Sequence, residues 1–118
     1  MNYYIIPGLK NKSKLPLSLV EPQVIMETIC RYFGTDIDVL FKKSRKKEVV
    51  MQRHLCQYFL MLHSPLSCTS IAKMFDQDHT TVLHARDTIA QELNHNFDNI
   101  YKVHSKQILN LLKDDVAA

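Results

Sequence analysis

The sequence contains very little glycine and no long apolar run, and each absence excludes a class of protein. Only Gly8 and Gly34 are glycine among 118 residues. A phosphate-binding loop of the Gly-x-x-x-x-Gly-Lys type needs closely spaced glycines, so the chain has no nucleotide-binding P-loop. No stretch approaches the roughly eighteen consecutive apolar residues of a membrane span, and the first residues lack the basic start of a signal peptide. We therefore expect a cytoplasmic protein.

Cysteine and metal-ligand motifs are equally sparse. Cys30, Cys56 and Cys68 are odd in number and form no Cys-x-x-Cys pair, and the first two fall among apolar helical positions. This pattern is typical of buried, reduced thiols. His79 and His84 are five residues apart, which places them about 140° from each other around a helix and argues against a shared zinc ion. We expect no metal, no cofactor and no enzymatic activity.

Positive charge is concentrated in one place. The segment 42–47, Lys-Lys-Ser-Arg-Lys-Lys, has five basic residues in six positions, whereas the rest of the chain has ten basic and twelve acidic residues. A local concentration of this kind attracts a polyanion more effectively than a small net charge spread over the surface. Such a run is also typical of a solvated loop, so it needs a second feature to indicate binding.

The hydrophobic fraction of 46% and the helical spacing of apolar residues predict an all-α domain over residues 21–118. Pro22 suits the first turn of a helix, Gly34 suits a helix end, and Ser67 suits an N-cap. About six helices are predicted, near residues 21–33, 37–41, 46–63, 67–75, 78–93 and 97–113.

Residues 1–20 differ from this pattern and are predicted to be an extended arm. They contain Pro7, Gly8 and Pro16 and show no sustained helical period. Tyr3 to Ile6 are compatible with a short strand or with packing on the body of the domain.

Two of the predicted helices, near 67–75 and 78–93, are separated only by a tight turn at Asp76 and Gln77. A short helix, a tight turn and a second helix are the pattern of a helix-turn-helix. The apolar stripes predict that the buried side of the last helix consists of Ile100, Val103, Ile108, Leu111 and Leu112. The predicted core consists of Ile29, Phe33, Leu40, Leu55, Phe59, Ile71, Phe75, Val82, Ile89 and Val103.

The second of these helices begins with a distinctive motif. Residues 78–85 read Asp-His-Thr-Thr-Val-Leu-His-Ala. They resemble the signature Arg-Asp-His-Thr-Thr-Val-Leu-His-Ala of the carboxy-terminal DNA-binding domain of DnaA, the bacterial replication initiator family. The basic segment followed by Arg53 in a long helix is similar to a second feature of the family. The resemblance covers about residues 20–112, and it implies a stand-alone helix-turn-helix domain without the ATPase module of the initiator.

The resemblance implies roles for individual residues. The residues expected to read base edges in the major groove are Asp78, His79, Thr80 and Thr81. Those expected to contact phosphate or the minor groove are Lys43, Arg45, Lys46, Lys47 and Arg53, with Arg45 in the minor groove. Asp78 could instead serve only as an N-cap, and Arg53 could lie along its helix surface.

The resemblance also implies a function and a partner. We expect sequence-specific binding to double-stranded DNA, at AT-rich asymmetric sites, by a monomer associated with the nucleoid. The family commonly has Gly-Gly-Arg after the phenylalanine of the turn. This chain has Asp76 and Gln77 there, a turn that is one residue shorter, lacks a positive charge and adds a negative one. A protein-interaction module derived from such a domain, without DNA affinity, is the alternative hypothesis.

Overall fold

The computed structural model describes residues 20–117, with side chains to residue 115, and all regular secondary structure in this part of the chain is helical. The predicted arm therefore lies outside the described residues, except for Val20. The six helices of the described part are α1 (Pro22–Phe33), α2 (Ile37–Phe41), α3 (Lys47–His63), α4 (Cys68–Met74), α5 (His79–Leu93) and α6 (Ile100–Ala117). The all-α prediction is confirmed, and the predicted helix bounds differ from these by a few residues at most.

The helix ends follow from local chemistry. Gly34 ends α1 with a φ of 68°, in the left-handed region that glycine adopts at little cost, and its N–H donates to the carbonyl of Arg31 at 3.3 Å. The hydroxyl of Ser67 accepts the N–H of Ser70 at 3.1 Å and so caps α4. Asp36 and Asp78 occupy the N-cap positions of α2 and α5 without a side-chain capping hydrogen bond.

The core is built around α3. Leu55, Cys56, Phe59 and Leu60 are buried along this helix, and α1, α2, α4 and α5 pack against it. Val20 is also buried, and its N–H donates to the carbonyl of His63 at 3.0 Å. The predicted core residues that are buried in the cluster or packed against it are Ile29, Phe33, Leu40, Leu55, Phe59, Ile71, Phe75, Val82 and Ile89.

The prediction for α6 was wrong at two positions. Val103 and Ile100 are 48% and 53% exposed, whereas Ile108 and Leu112 are fully buried. Val103 and Ile108 are five residues apart, about 140° around a helix, so the two cannot both face the core. The packing of α6 on α1 and α5 selects the stripe through Ile108 and leaves Val103 in solvent.

Two of the three cysteines occupy the core. Cys30 and Cys56 are buried free thiols, and burial raises the pKa of both. Residues 20–115 contain no group of three metal-ligating side chains. No helix of the described part is long and apolar enough to cross a membrane.

Candidate nucleic-acid interface

Helices α4 and α5 form the predicted helix-turn-helix. The inner face of α5 carries Val82, Ala85 and Ile89, which are all buried against the core. The opposite face of α5 and its first turn are consequently left on the surface. In helix-turn-helix proteins this is the part of the second helix that contacts base edges.

The four residues predicted to read bases lie together at the start of α5, and all four are exposed. The hydroxyl of Thr80 donates to the carboxylate of Asp78 at 2.5 Å, and Nδ1 of His79 lies 3.5 Å from the same carboxylate. The hydrogen bond from Thr80, with a smaller contribution from His79, lowers the pKa of Asp78, which is therefore ionised at neutral pH. This turn presents an acceptor carboxylate, an imidazole and two threonine side chains to the exterior.

The turn between α4 and α5 has an unusual backbone. Asp76 has a φ of 55°, in the left-handed region that non-glycine residues rarely adopt. The ammonium group of Lys43 donates to the carbonyl oxygen of Asp76 at 2.9 Å and lies 3.2 Å from its carboxylate. The basic segment and the start of α5 are therefore neighbours in space, although 33 positions separate these two residues in the sequence.

Gln77, the next residue of the turn, makes an inward contact. Its side-chain carbonyl accepts a hydrogen bond from the amide of Gln57 at 2.8 Å, and Gln57 is fully buried in α3. This hydrogen bond ties the turn of the helix-turn-helix to the central helix. Sequence reasoning missed Gln57, because Arg53 and His54, one turn earlier on the same helix face, made a further polar residue there unremarkable.

The basic segment 42–47, here called the basic loop, is solvent-facing along most of its length. Arg45, Lys46 and Lys47 are exposed and form no ion pair with a carboxylate of the described residues. The hydroxyl of Ser44 accepts the N–H of Lys46 at 3.2 Å, which closes a local turn. Three cationic side chains thus remain available for an anionic partner.

Arg53 differs from the expectation of direct DNA contact, because it is 7% exposed and directed into the protein. Its Nε donates to the carbonyl of Leu40 at 3.1 Å. Its Nη2 donates to the carbonyls of Lys42 and Ser44, at 2.5 and 3.1 Å. The guanidinium therefore binds the backbone of the basic loop and of the end of α2, rather than presenting its charge at the surface.

His54, the next residue of α3, lies close enough to α5 for the charge of His84 to affect its pKa. Desolvation by burial lowers the pKa of His54, and the charges of Arg53 and His84 lower it further. His54 is therefore neutral at physiological pH, and it adds no positive charge between the two helices.

A tight helix-turn-helix with an exposed polar first turn and an adjacent basic loop defines a helix-turn-helix DNA-binding domain. The comparison with protein families is specific: the family described as "Bacterial dnaA protein helix-turn-helix" matches residues 22–89. The match covers more than half of the chain, and the chain belongs to this family.

Individual relatives are chromosomal replication initiator proteins DnaA. The protein of Bacteroides thetaiotaomicron is 32% identical over 90 residues, which cover 75% of this chain and 19% of the relative. The protein of Bacteroides fragilis is 36% identical over 66 residues, which cover 55% of this chain and 14% of the relative. The protein of Mycoplasma pneumoniae is 31% identical over 71 residues, which cover 60% of this chain and 16% of the relative. The chain thus spans less than a fifth of the length of these relatives.

Proposed function

We propose that this protein binds double-stranded DNA sequence-specifically, with the first turn of α5 in the major groove and the basic loop at the adjacent minor groove and phosphates. The contact of Lys43 with Asp76 carries the proposal, because it brings the two exposed segments together on one side of the domain. Membership of the DnaA helix-turn-helix family supports the same arrangement.

The first turn of α5 supplies the chemistry for reading bases. The carboxylate of Asp78 accepts a hydrogen bond from a cytosine amino group, and the methyl groups of Thr80 and Thr81 suit contact with a thymine methyl group. His79 donates or accepts according to its tautomer. The positive end of the α5 dipole favours phosphate at the same place.

The basic loop supplies attraction that does not depend on sequence. Lys46 and Lys47 are exposed cations suited to phosphate, and each phosphate they neutralise releases counterions from the duplex. Arg45 suits a narrow minor groove, where AT-rich DNA has an enhanced negative potential. Lys43 is already in contact with Asp76, and it contributes less attraction than its neighbours.

These two contacts from one domain support binding as a monomer to an asymmetric site, in contact with the nucleoid and without catalysis. The relatives are named as initiators of chromosomal replication. We infer a role for this chain in controlling replication, either of a chromosome or of a mobile element.

The proposal is tested by titrating binding with salt on a preferred duplex, obtained by selection from a random library, and on a scrambled duplex. Alanine at His79, Thr80 or Thr81 is expected to cost about 1–3 kcal/mol on the preferred duplex and almost nothing on the scrambled one. Glutamine at Lys46 or Lys47 is expected to weaken binding to both duplexes and to reduce the salt slope by about 0.9 for each lost phosphate contact.

A matched control and the stoichiometry complete this experiment. Lys113→Gln removes the same charge from an exposed position on α6 and is expected to leave binding unchanged. Equal losses on both duplexes for the three α5 variants would exclude base readout. Two protomers on a palindromic site would exclude the monomeric mode. Absence of binding by the parent protein at low salt would support the protein-interaction module instead.

A further inference from the structure

The shape of the basic loop depends on backbone carbonyl groups within it and just before it. Helix α2 has only five residues, and an α-helix leaves its last four carbonyls without partners of its own. Arg53 supplies a donor to Leu40 in the last turn of α2, and to two residues of the loop, Lys42 and Ser44. One buried side chain therefore fixes the direction of three carbonyls over five successive residues.

The chemistry of the guanidinium group suits this task. Its donors lie in a rigid planar fork, so their directions are set once the side chain is packed. A lysine at the same position would bring one flexible ammonium group with different directions, and it could not serve all three carbonyls in the same geometry. A buried guanidinium is also costly unless its donors are paired, which keeps the carbonyls in place as long as Arg53 is buried.

Arg45 follows directly after the last of these carbonyls. Its own side chain is exposed and forms no ion pair with a described carboxylate, so its position is determined by the backbone at Ser44. The hydrogen bond from the N–H of Lys46 to the hydroxyl of Ser44 fixes the backbone on the other side of Arg45. The two sets of hydrogen bonds enclose the residue assigned above to the minor groove.

We propose that Arg53 is a positioning residue, which holds the basic loop so that Arg45 faces the minor groove and thereby sets the preference for AT-rich DNA beside the bases read by α5. This inference rests on the proposed function for its DNA part. The holding of the loop is a property of the free protein and is tested without DNA.

The first experiment measures trypsin cleavage in the full chain by mass spectrometry. The basic loop offers cleavage sites at Lys42, Lys43, Arg45, Lys46 and Lys47. In Arg53→Lys these sites are expected to be cut about tenfold faster than in the wild type, because the loop opens locally. Ser44→Ala, which removes the bond to Lys46 without changing the core, is expected to act in the same direction.

Two controls separate loop opening from general unfolding. Cleavage at Lys106 and Lys113 in α6 reports unfolding of the whole domain, so it is expected to stay at the wild-type rate in both variants. Arg31→Lys makes the same chemical change at an exposed arginine of α1 and is expected to leave loop cleavage unchanged. Unchanged loop cleavage in Arg53→Lys would overturn the proposal, whatever Ser44→Ala shows.

The second experiment uses the selected duplex with the A·T pairs of its flank replaced either by G·C or by inosine·C. Guanine adds an amino group in the minor groove, and inosine lacks it. Only the G·C replacement therefore changes the groove surface that Arg45 would contact. For the wild type, G·C is expected to weaken binding about tenfold and inosine·C to restore it.

The variants then identify the source of this preference. Arg45→Ala and Arg53→Lys are each expected to bind the three duplexes within about twofold of one another, and the double variant is expected to show no further loss of flank preference. His79→Ala keeps the wild-type preference, because it acts in the other groove. Arg53→Lys overturns the proposal if it keeps the full flank preference. The proposal is also overturned if Arg53→Lys weakens binding by the same factor on every duplex and lowers the salt slope. That result is expected for a residue that contacts phosphate directly.

Failure of the proposed function is distinguishable from failure of this inference. If the wild-type protein binds no duplex or ignores the flank, the DNA assignment is wrong. The trypsin result still decides whether Arg53 holds the basic loop.

Discussion

Asp76 lies in the turn between α4 and α5, and its replacement tests both the backbone of that turn and the charge beside the proposed DNA surface. Its φ of 55° is the left-handed conformation, and its carboxylate lies 3.2 Å from the ammonium of Lys43. Asp76→Gly relieves the backbone and removes the charge. Asp76→Ala removes the same charge, but it keeps a side chain where the backbone disfavours one.

The difference in stability between the two variants isolates the backbone effect. A residue with a Cβ atom in the left-handed region costs about 1–2 kcal/mol, and the greater freedom of glycine in the unfolded chain offsets part of this, by about 0.4–1 kcal/mol. Asp76→Gly is therefore expected to be about 1 kcal/mol more stable than Asp76→Ala. In a domain of this size the difference corresponds to a melting temperature about 3–6 °C higher.

The two variants are expected to behave alike in DNA binding. The Lys43–Asp76 pair is well exposed, with side chains 68% and 91% accessible, and exposed pairs are worth at most about 1 kcal/mol. Its loss frees Lys43 for phosphate and removes a repulsive charge. Binding to any duplex at low salt is then expected to tighten by up to about fivefold, and the salt slope to steepen by about 0.9.

Urea or thermal unfolding measures the first effect, and fluorescence anisotropy at several salt concentrations measures the second. Equal stability of the glycine and alanine variants would show that Asp76 does not adopt the left-handed conformation in solution. Weaker binding by both variants would show that the contact between Lys43 and Asp76 helps to hold the DNA-binding surface, contrary to the reasoning above.

Three further predictions concern the stability of the folded domain and its pH dependence. Burial lowers the pKa of His63 to about 4, from about 6.5 in the unfolded chain. The resulting stability is fully present above pH 6.5 and is lost as the pH falls towards 4, by roughly 3 kcal/mol in all. Urea unfolding across this range, with His63→Gln as the variant that lacks this loss, tests the sign. Gly34→Ala is expected to cost about 1 kcal/mol, because a Cβ meets nothing within 4 Å and only the left-handed backbone opposes it; an unchanged urea midpoint would contradict this. Ile71→Ala, at a fully buried position, is expected to cost about 2–5 kcal/mol in the same assay, and a loss below 1 kcal/mol would contradict its place in the core.

Features that depend on neighbours along the chain were predictable from the sequence. Pro22, Gly34 and Ser67 act within one turn of a helix, and they mark the ends of α1 and the start of α4 as expected. The motif 78–85 is similarly local, because one helix carries both its buried valine and its exposed polar residues. The helix-turn-helix and most of the core followed from these signals.

The sequence left open which of several similar stripes faces the core. Helix α6 has apolar residues in more than one direction, and only its packing on α1 and α5 decided that Ile108 is buried and Val103 is exposed. Periodicity measures relative angles around one helix, and it carries no information about the direction of the neighbouring helices when apolar residues are spread around the axis.

The roles of the polar residues around the proposed DNA-binding surface were decided by tertiary structure. In the sequence Arg53 is one more cation near a basic run, yet in the fold its guanidinium is buried on carbonyls that precede it by up to thirteen positions. Gln77 similarly forms a hydrogen bond with Gln57, and Asp76 forms an ion pair with Lys43, in both cases between different elements of the fold. A long polar side chain takes whichever partner the fold brings within about 3 Å, and that distance is set by how the helices pack.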